Sequence, residues 1–352
     1  MYPIFDGHND TLLDLLLGKK GETRSFYEDS HKGHLDYPRA VRGGFAGGFF
    51  AMYTPNPDPG EKTIMTGQGY QVPLADPISH EYALNHTTAM ARKLFQMEKE
   101  SNGRVKVIKK AEELADCMKH GVMAAVYHIE GAEAIDPEFR NLHHFYKEGL
   151  RSLGIVWSRP NRYGEGVPFQ YPSSPDTGGG LTGDGIRLVK ECNRLGIMID
   201  TSHLTEKGFW NTAEISDAPI VASHSNAHSI CAHSRNLTDS QLAEIASSGG
   251  VAGINFSVSM LRQDGGGDPD TPLTEIVRHI EYIAEKFGVD HVAFGSDFDG
   301  TFIPNEIGDV TGLPKLLSAL KARGFGDSDL RKIAYENWQR VLNHTWKTQV
   351  KG

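Results

Sequence analysis

Cysteine is scarce. Cys117, Cys192 and Cys231 are widely spaced, odd in number and never arranged as CxxC, so they read as reduced thiols in a reducing compartment and not as a disulfide framework. Long hydrophobic runs are missing: no stretch approaches the ~20 apolar residues needed to cross a bilayer. The opening MYPIFDGHNDTLL has no basic segment ahead of an apolar one, and Asp6 and Asp10 interrupt it. The expectation is a soluble, cytoplasmic protein with no membrane partner. Positive charge is short as well, 36 Lys and Arg against 45 Asp and Glu for a net charge of −9, with no basic run, which argues against nucleic acid as a partner. There is no P-loop and no GxSxG, and GGFAGG at 43–48 misses the GxGxxG spacing. Nucleotide binding and a serine nucleophile therefore have little support.

What is present is enough apolar sequence, 39% of 352 residues, for a sizeable core, and an alternating pattern. Eight short runs rich in Val, Ile and Phe read as strands buried on both faces: 3–8, 44–53, 123–130, 153–158, 197–203, 219–225, 250–257 and 290–297. Amphipathic stretches lie between most of them, at about 78–101, 136–150, 183–195, 272–287, 304–323 and 327–346. Leu273, Ile276, Ile280, Ile283 and Phe287 mark the clearest, opened by Thr271 and Pro272 and closed by Gly288. This alternation predicts a (β/α)8 TIM barrel forming a single domain over residues 1–352. An open doubly wound sheet is the competitor, because periodicity does not show whether a sheet closes. Two polar segments, 19–42 and 158–180, read as long functional loops.

Six groups suited to metal chemistry fall at the ends of five predicted strands: His8 and Asp10, Glu130, His203, His224, and Asp297. In a barrel these ends share one rim. Three imidazoles and three carboxylates suit zinc or a similar divalent ion, and six candidates exceed what one ion needs. Two ions sharing Glu130 resolve the excess, with His8 and Asp10 completing one site, His203 and His224 the other, and Asp297 left beside them. Taken singly, each histidine is more often a core or loop residue, and Asp10 and Asp297 could cap the helices that follow; the joint pattern carries the metal reading. His228 and His233 are read as mouth or surface residues, and His31, His34, His143, His144 and His344 as surface.

The stretches DGHND (6–10), IEGAE (129–133), IDTSH (199–203), ASHSNA (222–227), HSRNLTD (233–239), FGSDFDG (294–300) and ENWQRVL (336–342) together resemble the membrane (renal) dipeptidase family, within the amidohydrolase-like metal-dependent barrels. The resemblance spans nearly the whole chain and looks like that of a soluble, bacterial-type member. It implies a binuclear zinc dipeptidase acting on L-Xaa-L-Xaa or L-Xaa-D-Xaa substrates. His8, Asp10 and Glu130 would hold one zinc, and Glu130, His203 and His224 the other. Arg235, in the HSRN motif, would bind the substrate's free carboxylate through its planar fork. Mammalian members carry a histidine after strand 4 that is thought to contact the scissile carbonyl. Trp157 takes that place here and can pack or donate one hydrogen bond but cannot become a cation, so transition-state help from that side would be weaker or come from Arg159, Asn161 or a metal.

The mechanism expected on this basis is attack by a hydroxide bridging two zinc ions, with Asp297 carrying its proton to the leaving amine. The alternative within the same chemistry is an amidohydrolase for another carboxylate-bearing amide, such as an N-acyl amino acid or a lactam. The alternative outside it is a barrel that keeps metals only for stability, against which the retention of a free acid, Asp297, speaks. A monomer and a homodimer are not distinguished by the sequence.

Overall fold

The computed structural model of the chain describes residues 2–18, 22–58 and 62–346. Each of the eight apolar runs yields a strand: β1 Ile4–Asn9, β2 Phe45–Tyr53, β3 Met123–Glu130, β4 Leu150–Gly154, β5 Met198–Asp200, β6 Val221–Ala222, β7 Val251–Ile254 and β8 Val292–Phe294. Their side chains are buried on both faces almost throughout, the environment of a parallel sheet covered by helices. The strands pair in parallel in chain order, and a short extra strand, Val105–Val107, pairs with β3.

Closure between β8 and β1 settles the choice against the open sheet. The Asp10 N–H donates to Phe298 O at 2.8 Å and the Asp297 N–H to His8 O at 3.0 Å. Asp6, buried on β1, accepts from both the N–H and the hydroxyl of Ser296, each at 2.7 Å. A side-chain carboxylate thus supplies the link where the strand ladder runs out, and the result is a nearly closed (β/α)8 barrel. The barrel is tight. A Cβ at Gly7 would lie 2.4 Å from Ser223 O and 2.5 Å from the Trp338 ring, so only glycine fits there. Trp338, from the ENWQRVL motif, is fully buried and donates its indole N–H to Phe294 O at 3.0 Å.

Where expectation and structure differ, polar residues explain most of it. The fourth strand lies at Leu150–Gly154, N-terminal to the expected 153–158. Its polar Arg151 and Ser152 hid it. Both are buried: the Arg151 guanidinium donates to three backbone carbonyls, and Ser152 meets His128. The expected 304–323 helix is confined to Leu313–Ala322, after a 3-10 turn at Val310–Gly312. The 327–346 helix runs from Asp327 to Thr345 through a π turn at Lys332–Glu336. The stretch 183–195 is a helix as expected, capped by Thr182 and ended by a left-handed Gly196. Of the segment 19–42, residues 19–21 lie outside the described residues and the remainder runs into a helix, Tyr37–Gly43. The segment 158–180 contributes a strand, Phe169–Tyr171, to a small antiparallel sheet with Ile64–Met65 and Tyr70–Val72. Among the described residues no helix is long and apolar enough to cross a membrane, and all three cysteines are buried and unpaired.

Candidate active site

The carboxyl ends of the strands bring the six groups together. Glu130, at the end of β3, lies between two sets of ligand atoms. Its Oε1 is 3.0 Å from His203 Nε2 and 3.5 Å from His224 Nε2, while its Oε2 is 3.7 Å from His8 Nε2. His8 Nε2 is also 3.6 Å from Asp10 Oδ2. Ligand atoms of Glu130, His203 and His224 lie within 4.8 Å of one another, as do those of His8, Asp10 and Asp297. All are buried except Asp297, which is half-buried. His203 and Asp297 both adopt left-handed backbone, at φ 68° and 61°, an uncommon conformation for such residues that turns each side chain sharply at its strand end.

The imidazoles are aimed by their neighbours. Ser223 donates its hydroxyl to Asp200 and so accepts from His224 Nδ1 at 2.7 Å. His203 Nδ1 meets Ser158 Oγ at 2.9 Å. The Ser223 contact places the His224 proton on Nδ1 and leaves its Nε2 lone pair facing His203 Nε2, 3.1 Å away. That lone pair and Glu130 Oε1, 3.5 Å away, are electron-rich atoms that call for positive charge between them. Burial, with Arg235 and His8 nearby, holds both imidazoles well below the usual histidine range, so neither carries the missing charge. On the other side, His8 Nδ1 and Nε2 and Asp10 Oδ1 are buried with no hydrogen-bond partner. Burial alone would lower the pKa of His8, but the carboxylates of Glu130, Asp10 and Asp297 outweigh it and raise it to about 10. Burial likewise raises Glu130 and Asp297. Orphaned donor atoms and crowded carboxylates fit metal cations in both halves of the site.

Asp297 is held from one side: Asn255 Nδ2 donates to its Oδ2 at 2.8 Å. A Cβ at Gly300 would fall 2.1 Å from Asp10 Oδ2 and 2.3 Å from Asp297 Oδ1, so the GSDFDG glycine keeps that space open. Arg235 is buried. Its Nη1 and Nη2 donate to Ser225 Oγ and His224 O, each at 3.2 Å, and its Nε has no partner. Burial lowers the Arg235 pKa to about 10, against the pull of Asp297 and Glu130. A cleft of about 730 Å³ opens over these groups, and Trp157, Tyr53, Tyr70, Phe169 and Met260 provide apolar wall. Trp157 lies 5.9 Å from His203, ring to ring.

Arg159 and Asn161 do not line this cleft. The Arg159 guanidinium is taken by Glu133 and Asn56, and Asn161 binds Ile155 O. His228 stays outside it, whereas His233 lines it. His34 is not a plain surface residue, since its Nδ1 accepts from the Asp299 N–H at 2.9 Å. Four contributors escaped the sequence reading: Ser158, Asp200, Asn255 and His128. His128 shares a strand face with Glu130, two residues away, and lies 5.5 Å from the His8 ring. Asp200 also lies within 4.8 Å of His8 and His224, but its oxygens already accept from Ser202 and Ser223. Asn255 follows β7, an end with no acid or histidine to attract notice.

A family model described as membrane dipeptidase (peptidase family M19) matches residues 1–351. A crystal structure of a metallopeptidase described as dipeptidase AC of family M19 superposes with a TM-score of 0.92 at 47% identity, covering 99% of each chain. A Rhodobacter sphaeroides metallopeptidase, liganded with a phosphinate mimic of the dipeptide L-Ala-D-Ala, has a TM-score of 0.91 at 47% identity, covering 98% of this chain and 99% of that one. A Klebsiella pneumoniae protein described as an uncharacterized protein in the pqqA 5' region is 50% identical over 254 residues, 72% of this chain and 94% of its own. With the family model matching residues 1–351 and the barrel superposing on M19 peptidases over nearly the full length, the chain belongs to the membrane dipeptidase family, peptidase family M19.

Proposed function

We propose that this protein is a dipeptidase that works with two zinc ions, His8, Asp10 and Glu130 holding one and Glu130, His203 and His224 the other. The observation that carries this reading is Glu130, which turns one oxygen toward each ligand set, at 3.0 Å and 3.7 Å. Imidazole and carboxylate donors in small, buried sets suit zinc. Metal ions there supply a Lewis acid for the scissile carbonyl and lower the pKa of water.

The chain's own groups do the rest. Asp297, fixed through Oδ2 by Asn255, offers Oδ1 to take the proton of the attacking water and return it to the leaving amine. Arg235, buried at the cleft, binds the terminal carboxylate and so favours dipeptides over longer chains. Trp157, beside Tyr53 and Phe169, packs against the substrate. The Rhodobacter relative's ligand, a mimic of L-Ala-D-Ala, supports a D-residue on the carboxyl side here as well.

The test is metal analysis of the purified protein with turnover of L-Xaa-L-Xaa, L-Xaa-D-Xaa and N-acyl amino acid panels. Close to two equivalents of zinc per chain, with dipeptide hydrolysis lost on chelation and restored by zinc, is expected. Less than one equivalent, or turnover of N-acyl amino acids alone, refutes the proposal.

A further inference from the structure

We infer that His233 is a second carboxylate-binding group, its Nε2–H acting with Arg235 to grip the two oxygens of the substrate's terminal carboxylate. This rests on the dipeptidase reading above and names a specificity-determining residue for it. The orientation of the ring follows from one contact. The Arg235 backbone N–H donates to His233 Nδ1 at 3.1 Å. An amide N–H can only donate, so Nδ1 carries the lone pair and the ring proton sits on Nε2. Burial and the neighbouring Arg235 hold the His233 pKa down to about 3, which keeps the ring in this neutral tautomer.

No described residue accepts from Nε2, and although His233 as a residue is buried, Nε2 itself is not closed off from solvent. A ring N–H that opens on a cleft without a protein acceptor is free to donate to a ligand there. His233 lines the same cleft as Arg235 and the metal ligands, with its ring 6.2 Å from Tyr70 and 6.4 Å from Phe169. The Arg235 fork is itself partly committed, since both Nη atoms donate to Ser225 and His224. A carboxylate has two oxygens and accepts several donors, so a second N–H anchored to the backbone of Arg235 supplies what that fork lacks. The aromatic walls keep water away and strengthen the contact.

Two substitutions separate this role from a structural one. His233→Asn keeps an acceptor near the Nδ1 position for the Arg235 N–H but removes the donor, and His233→Gln keeps a donor near the Nε2 position. With zinc-loaded protein, His233→Asn is expected to raise KM for free dipeptides roughly ten- to a hundredfold, the range of a hydrogen bond to a charged group. Carboxyl-amidated dipeptides should change far less, kcat should hold, and His233→Gln should recover most of the loss. Calorimetric binding of a phosphinate dipeptide mimic gives the same comparison without turnover. Unchanged KM and affinity in His233→Asn, or equal losses for acid and amide, overturn the inference while leaving the dipeptidase reading intact. If the wild type cleaves N-acyl amino acids and no dipeptide, that reading fails instead, and the acid–amide comparison is made on those substrates with the same criteria.

Discussion

Asp297 and Asn255 show how much of the chemistry is decided by single side chains. Asp297→Asn keeps shape and hydrogen bonding at the site but cannot take up a proton. Zinc content should be unchanged while kcat falls by about 10² to 10⁴-fold, the usual contribution of a positioned general acid–base. Undiminished turnover would remove Asp297 from the proton path. Asn255 touches Asp297 and is a positioning residue. Asn255→Ala should lower kcat about tenfold with KM little changed, since the lost hydrogen bond acts on the acid and not on substrate binding. A rise in KM alone would show that Asn255 supports the cleft wall instead. The sequence pointed to Asp297 because an acid at a strand end is a conspicuous signal. It was silent on Asn255, an amide whose importance lies wholly in which oxygen it reaches.

At the scale of elements, two carboxylates play matching parts with different consequences. Asp6 ties β1 to the segment after β8 through Ser296, and Asp200 ties β5 to the segment after β6 through Ser223. Only Asp200 continues to the ring of a metal ligand, through Ser223 to His224, whereas Ser296 reaches His8 at its backbone oxygen alone. Asp6→Ala leaves the buried Ser296 N–H without an acceptor and its hydroxyl with His8 O alone, and should lower stability by about 1–3 kcal/mol in urea unfolding, with metal affinity preserved. Asp200→Ala should in addition weaken metal binding about 10- to 100-fold, as loss of a ligand's orienting partner does. Equal metal affinities in the two variants would sever the proposed link between Asp200 and His224. The same scale explains why β4 was misplaced. Arg151 and Ser152 are polar yet buried, with partners as far along the chain as Lys109 and His128, and no local pattern announces that.

For the whole molecule, the ligand sets join β1, β3 and the segments after β5 and β6, so metal should stabilise the barrel globally. Chelation is expected to lower the melting temperature, and zinc to restore it in a concentration-dependent way. The pH dependence has a definite sign. In the metal-free protein the Glu130, Asp10 and Asp297 carboxylates raise the His8 pKa to about 10, so His8 holds a proton near neutrality that an ion must displace. Zinc uptake at pH 7 should therefore release protons, and apparent affinity should climb as pH increases from 6 toward 9. Calorimetry in two buffers of different ionisation enthalpy reads that release directly, and uptake without released protons would contradict the arrangement of these groups.

The sequence by itself determined the alternation of buried strands and helices, and the residues at the strand ends that can carry metal chemistry. Both depend on local composition and spacing. Closure of the barrel, the turning of one Glu130 oxygen toward each ligand set, the serine contacts that aim His203 and His224, and the pairing of His233 with Arg235 were decided only in the tertiary structure. Each is a contact of a few ångströms made between groups whose separation along the chain does not encode their distance in space, and only folding assigns their directions.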